Sequence, residues 1–136
     1  MKNSFRKSIV IISSLVFMSS IFFAFTPGYQ KPWNIPAKYK TMKNPVKSDA
    51  TSINAGKALY AKHCKSCHGA KGLGDGTKAA TLKTKIPSFA TKEFKGLPAG
   101  EVYYKAIIGM DEMPNFEKKI LDDSERWSVV NYILSL

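Results

Sequence analysis

The chain has 136 residues, carries a formal net charge of +11 and is 44% apolar, which argues against wholesale disorder and leaves room for one small domain rather than two. Two cysteines are too few for a disulfide-rich scaffold or a four-thiolate zinc site, and the length excludes a two-domain dinucleotide enzyme. Charge is unevenly spread, at +3 over residues 1–26, +11 over 27–100 and −3 over 101–136.

Lys2, Arg6 and Lys7 precede an uncharged run from Ile9 to Phe25, a positive start followed by an apolar stretch. The run exceeds the usual apolar core of a secretory signal and reaches the lower limit of a bilayer span. Phe22, Phe23 and Phe25 stand where a signal peptidase needs small side chains, so an uncleaved membrane anchor is favoured over a cleaved signal peptide for residues 1–26. Under both readings the positive end stays inside and the remainder is exported, to the periplasmic side of a cytoplasmic membrane.

Residues 27–51 hold Pro27, Pro32, Pro36 and Pro45 among scattered lysines and show no helical period. This composition predicts an extended, partly stiff linker, with a reach of about 75 Å at full extension. A pure tether has no need of Trp33, Ile35 and Tyr39, and these are expected to touch the domain surface in preference to forming a docking motif.

The domain proper is expected over residues 52–136. A first helix fits Ile53 to His68, capped by Ser52 or Asn54, with Ile53, Leu59 and Tyr60 on its apolar face. Gly69 to Gly76 is turn chemistry and ends that helix. Residues 77–98, with Pro87 and Pro98, read as loop with short helical pieces. A second helix fits 100–108, stopped by Gly109. The last begins at a capping-box pattern, Asp122 with Glu125, and carries Trp127, Val130, Ile133 and Leu134 as an inward stripe. Nothing alternates like a strand, so the expected fold class is all-α. A core of about 85 residues is marginal alone, and a bound cofactor would help.

The chemistry is concentrated in Cys64-Lys65-Ser66-Cys67-His68. On a helix, positions i, i+3 and i+4 share a face, so both sulfurs and the imidazole project together. That geometry suits two thioether bonds to a haem, with His68 as an iron ligand. Three other readings compete. A disulfide leaves His68 and the glycine turn unexplained; a thioredoxin-like pair requires a preceding strand; and zinc would have to draw Cys64, Cys67, His68 and His63 from one short segment. Haem attachment is the strongest of the four. His63 is read as an exposed helix residue, about 100° around the helix from Cys64.

One histidine leaves the other side of a haem iron open. Met110 and Met113 lie downstream, and methionine ordinarily fills cores. With a covalent haem upstream, a ligand role gains weight. Met113 is favoured over Met110 because Pro114 holds the following chain out of helix and pre-shapes the loop.

These stretches together resemble the class I, small single-haem c-type cytochromes. The likeness runs through Gly56-Lys57-Ala58-Leu59-Tyr60, Cys64 to Gly69, Gly72 to Gly76, Gly109 to Phe116, and Glu125-Arg126-Trp127 through Tyr132-Ile133. The resemblance implies a cytochrome c-like helical domain enclosing one covalent haem c, with the first and last helices crossing near Gly56 and Tyr132. It also implies that a backbone carbonyl near Pro87 accepts the free N–H of His68, although the glycine-proline pattern often seen there is replaced by Lys85-Ile86-Pro87-Ser88-Phe89.

With His68 and Met113 both bound, the iron keeps no position for substrate, which points to one-electron transfer rather than catalysis. The leading expectation is a membrane-tethered carrier moving electrons between respiratory-chain complexes, whose acidic faces would meet Lys57, Lys62, Lys65, Lys71, Lys78, Lys83 and Lys85. The runner-up is a haem subunit held permanently in a membrane oxidoreductase complex. A peroxidase-type enzyme stands behind both, and nucleic acid is a poor partner for an exported redox motif.

Overall fold

The computed structural model describes residues 32–136. The anchor reading of residues 1–26 lies outside the described residues. Helix α1 spans Ala37–Thr41, α2 Ala50–His63 and α3 Lys65–His68. A 3-10 turn at Ala79–Thr81 and the short α4, Lys92–Lys95, interrupt the long loop. Helix α5, Ala99–Tyr103, runs on as a π-helical turn over Tyr104–Ile108, and α6 spans Asp123–Ser135. No strand forms among the described residues, which are helical as expected. Nor is any helix among them long and apolar enough to cross a membrane.

The first long helix begins earlier than the sequence pattern suggests. Asp49, not Ser52 or Asn54, is its cap: the Asp49 carboxylate accepts from the Ser52 N–H at 3.0 Å, and Ser52 Oγ accepts from the Asp49 N–H at 3.2 Å. This reciprocal box satisfies two donors at once, which a lone serine cap cannot do. Ser52, Gly56, Tyr60 and Cys64 then fall four residues apart and form the buried edge of the helix.

That edge meets α6, where Trp127, Val129, Val130 and Ile133 are at most 3% exposed. Gly56 sits directly on the Ser128 backbone, and a methyl group there would collide with the Ser128 carbonyl and press on Tyr132 Cβ. The helices therefore cross in near-backbone contact where the resemblance places the crossing. The Tyr60 and Tyr132 rings meet edge-on at 5.1 Å beside it. At the start of α6, Asp122 accepts from the N–H groups of Ser124 and Glu125. Arg126 donates to the carbonyls of Ile120, Glu117 and Leu121, which ties the preceding turn to the helix.

Residues 32–49 lie along this domain. Ile35 is buried, Tyr39 stacks on Tyr103 and leans on Tyr104, and Trp33 meets Tyr104 edge-on at 6.3 Å. Gly100 at the start of α5 carries no side chain where the Tyr39 and Met42 backbone passes, and a Cβ there would overlap both carbonyls. Asn131, inside α6, donates to the carbonyls of Val46 and Lys47 and to Ser52 Oγ, and accepts from Asn44. The aromatic residues that exceed a tether's needs are thus packing groups.

Candidate functional site

Cys64 is where the long helix breaks. It closes α2 and opens α3 with φ −117°, so the expected single helix over 53–68 is two helices joined at this residue. Hydrogen bonding carries on through the break, since the His68 N–H donates to the Cys64 carbonyl at 2.9 Å and the Cys67 N–H donates to it at 3.1 Å. Cys64, Cys67 and His68 therefore occupy successive corners of one turn.

Four residues make a helix whose terminal carbonyls have no partners of their own. The glycine-rich loop supplies them. Gly74 N–H donates to the His68 carbonyl at 2.9 Å, Gly76 N–H to Cys67 at 3.1 Å, and Lys78 N–H to Ser66 at 2.8 Å. A Cβ at Gly76 would overlap the Ser66 and Cys67 carbonyls, and Gly69 adopts φ +82° to start the reversal. Tyr60 completes the fastening from α2, its hydroxyl donating to the Gly69 carbonyl at 2.8 Å.

The thiols of Cys64 and Cys67 are not bridged to each other. Cys64 is buried, and burial, with Cys67 as a lesser contribution, pushes its thiol up to about 12. The His68 imidazole stacks on Phe89 at 4.9 Å and 24°, and Phe89 stacks in turn on Phe94. Burial lowers the imidazole from its ordinary range, which favours the uncharged form, the form whose lone pair can bind a metal.

His68 Nδ1 is buried without a hydrogen-bond partner. The bond from His68 to a carbonyl near Pro87, implied by the resemblance, is therefore not formed. The Ile86 carbonyl is instead packed against Gly74, and the Phe89 N–H is fastened to the Gly72 carbonyl at 2.7 Å, which turns this segment's ring rather than its carbonyl toward His68. Phe89 is the site residue that sequence reasoning missed. Its signal was faint, an aromatic residue two places after Pro87 in a stretch without period.

Met110 and Met113 face each other across a tight antiparallel bridge, with Met113 N–H donating to the Met110 carbonyl at 2.9 Å and Asp111 at φ +53° in the turn. Both are half-buried, and Met113 packs against the core cluster. The loop is held at two points. Gly109, at φ +74°, lets the Met113 and Pro114 carbonyls pass where a side chain would stand. Glu112 accepts from the Lys83 and Thr84 N–H groups at 3.0 and 2.8 Å, and those amides draw its carboxyl below the ordinary range. His63 is half-buried rather than exposed, its ring edge-on to Phe116 at 5.8 Å. Lys57, Lys62, Lys65, Lys71, Lys78, Lys83 and Lys85 are all exposed.

Two unbridged thiols and an imidazole on one helical turn, with the imidazole's buried nitrogen uncommitted, fit covalent haem. With the crossing at Gly56 and the all-helical chain around it, they define a small c-type cytochrome. The family model described as cytochrome C oxidase, cbb3-type, subunit III matches residues 51–133, and the chain belongs to that family. Its cytochrome c domain implies haem c and electron transfer. Among solved structures, a chain of the Kuenenia stuttgartiensis reducing HAO-like protein complex Kustc0457/Kustc0458 is similar, at 30% identity and a TM-score of 0.61. The match covers 79% of this chain and 51% of that one, so this chain spans about half of that neighbour. No curated protein matches the chain.

Proposed function

We propose that the chain carries one haem, joined through Cys64 and Cys67 and ligated by His68 and Met113, and moves single electrons between membrane redox complexes on the periplasmic side. The observation that carries this reading is the turn from Cys64 to His68, where two unbridged thiols stand beside a half-buried imidazole whose Nδ1 is buried. Bound haem supplies a one-electron iron couple; the protein supplies attachment, ligands and a fixed frame. Phe89 fixes the plane of the His68 ring. The grips of Gly109 and Glu112 hold the backbone of the methionine loop from which Met113 projects. A ligand pair held this way limits rearrangement on electron transfer, and thioether ligation favours the reduced metal and raises the potential. Residues 9–25 anchor the domain, and the seven exposed lysines steer it toward acidic faces.

The test is optical and mass-spectrometric on the natively produced protein. The expected outcome is the mass of one covalent haem and a ferric near-infrared methionine-to-iron band that disappears in Met113→Ala but survives in Met110→Ala. A colourless protein, or one lacking that band, would refute the ligand assignment. A second reading, a subunit held permanently in an oxidoreductase complex, is favoured by a family described as an oxidase subunit and by a solved neighbour that is itself one chain of a protein complex. Co-migration of the haem with large partners in mild detergent would select it over free carriage.

A further inference from the structure

The packed strap changes what the anchor can do. If residues 27–51 were free, the domain would range over about 75 Å from the membrane. Trp33 is instead seated on Tyr104, Ile35 is buried and Asn44 is latched to Asn131. Between the segment 1–26 and Trp33 only residues 27–32 remain, a reach of about 20 Å. A domain of this size is about 30 Å across, so it is tethered by less than its own diameter. The face around Trp33 must then stay nearest the bilayer.

That face is basic. Residues 27–48 hold five lysines and no acidic residue. Lys38, Lys40, Lys43 and Lys47 are exposed along the strap, and Lys105 of the underlying helix reaches over the Trp33 ring at 6.0 Å, against one carboxylate on α5, Glu101. Fixed lysines kept close to a bilayer meet the negative potential of anionic headgroups, which decays within about a Debye length of 8–10 Å.

We propose that residues 32–47 are a membrane-facing strap whose lysines rest on anionic lipid, holding the domain in one orientation beside its anchor. The inference rests on the anchor reading of residues 1–26 and names the surface that reading would engage. The haem-bearing Cys64–His68 turn sits on other elements, so the strap would orient it relative to the bilayer for neighbouring membrane complexes instead of leaving it to diffuse.

The experiment uses the full-length, haem-loaded chain in nanodiscs of phosphatidylcholine with or without phosphatidylglycerol. Intact mass of the membrane-fraction protein first establishes whether residues 1–26 are retained; their loss overturns the anchor reading and the strap with it, and is seen before any lipid measurement. Lysine acylation read by peptide mapping then compares Lys38, Lys40 and Lys43 with Lys57 and Lys92. The three strap lysines are expected to label about fivefold more slowly in anionic than in neutral discs, with the two reference lysines unchanged. High salt should abolish the contrast, and in the triple variant Lys38→Glu, Lys40→Glu, Lys43→Glu the remaining strap lysine, Lys47, should label equally in both discs. Equal labelling in both discs, or protection centred on Lys57, overturns the proposal while leaving the anchor intact; in the first case this face is left for a protein partner.

Discussion

The side-chain amide of Asn44 donates to Asn131 Oδ1 over 2.7 Å, joining residues 87 positions apart. Asn131 lies inside α6 and is 4% exposed, so its whole amide is spent on the strap and on Ser52. Asn131→Ala strands several partly buried groups at once and is expected to cost about 2–3 kcal/mol. Denaturant unfolding measures the loss. Hydrogen exchange over residues 33–47 should rise before the remainder opens, and unchanged protection there would show that the latch does not hold the strap.

Gly56 is the tightest point of the α2–α6 crossing. Gly56→Ala puts a methyl group into the Ser128 carbonyl, and the helices must separate to admit it. The expected destabilisation is about 1–3 kcal/mol despite alanine's better helix propensity. A stability equal to or above that of the parent would mean that the crossing is looser than described.

Phe89 is 6% exposed and lies between His68 and Phe94. Phe89→Ala opens a cavity beside the imidazole and is expected to cost about 3–4 kcal/mol. Phe89→Leu, which keeps bulk without a ring, should recover more than half of that in chemical denaturation. Full recovery would mean that volume alone matters and that the stacked ring is dispensable.

Glu112 bridges the methionine loop to Lys83 and Thr84 through two backbone donors. Glu112→Ala should release that loop with little effect on global unfolding, because the carboxylate is exposed to water. The expected signature is a weaker methionine-to-iron band in the ferric protein and faster capture of an added external ligand. Glu112→Gln, which keeps an acceptor, should be milder.

Burial, with the bonded Asp123 carboxylate as a further contribution, keeps the Tyr103 hydroxyl protonated up to about 12, against an ordinary value of 10.0. Between these values the folded chain binds more protons than the unfolded chain. Its contribution is complete below about pH 10 and is lost as pH rises toward about 12. Thermal melting across this window should show falling stability, and Tyr103→Phe should flatten the fall. The flattening will be partial, because burial raises Tyr60 in the same direction.

The features legible in the order of residues are local ones. Cys64, Cys67 and His68 declare their chemistry through spacing within one turn. The glycine run announces a reversal, Asp122 a helix start, and the absence of alternation an all-helical chain, because each signal is complete within a few residues. The family resemblance placed the Gly56 crossing, a contact that no local pattern reveals.

Other features arise only from long-range packing. Asp49 displaced Ser52 as cap because the reciprocal bond depends on how the strap enters the helix. Phe89 became the ring against His68 because Gly72 fixes its amide and Gly74 takes the Ile86 carbonyl. The linker became a strap because Asn131, an unremarked polar residue on an apolar helix, meets Asn44 only after the chain has folded. Such pairings join positions far apart in the chain, and their energies exist only when the helices between them have already set the distance.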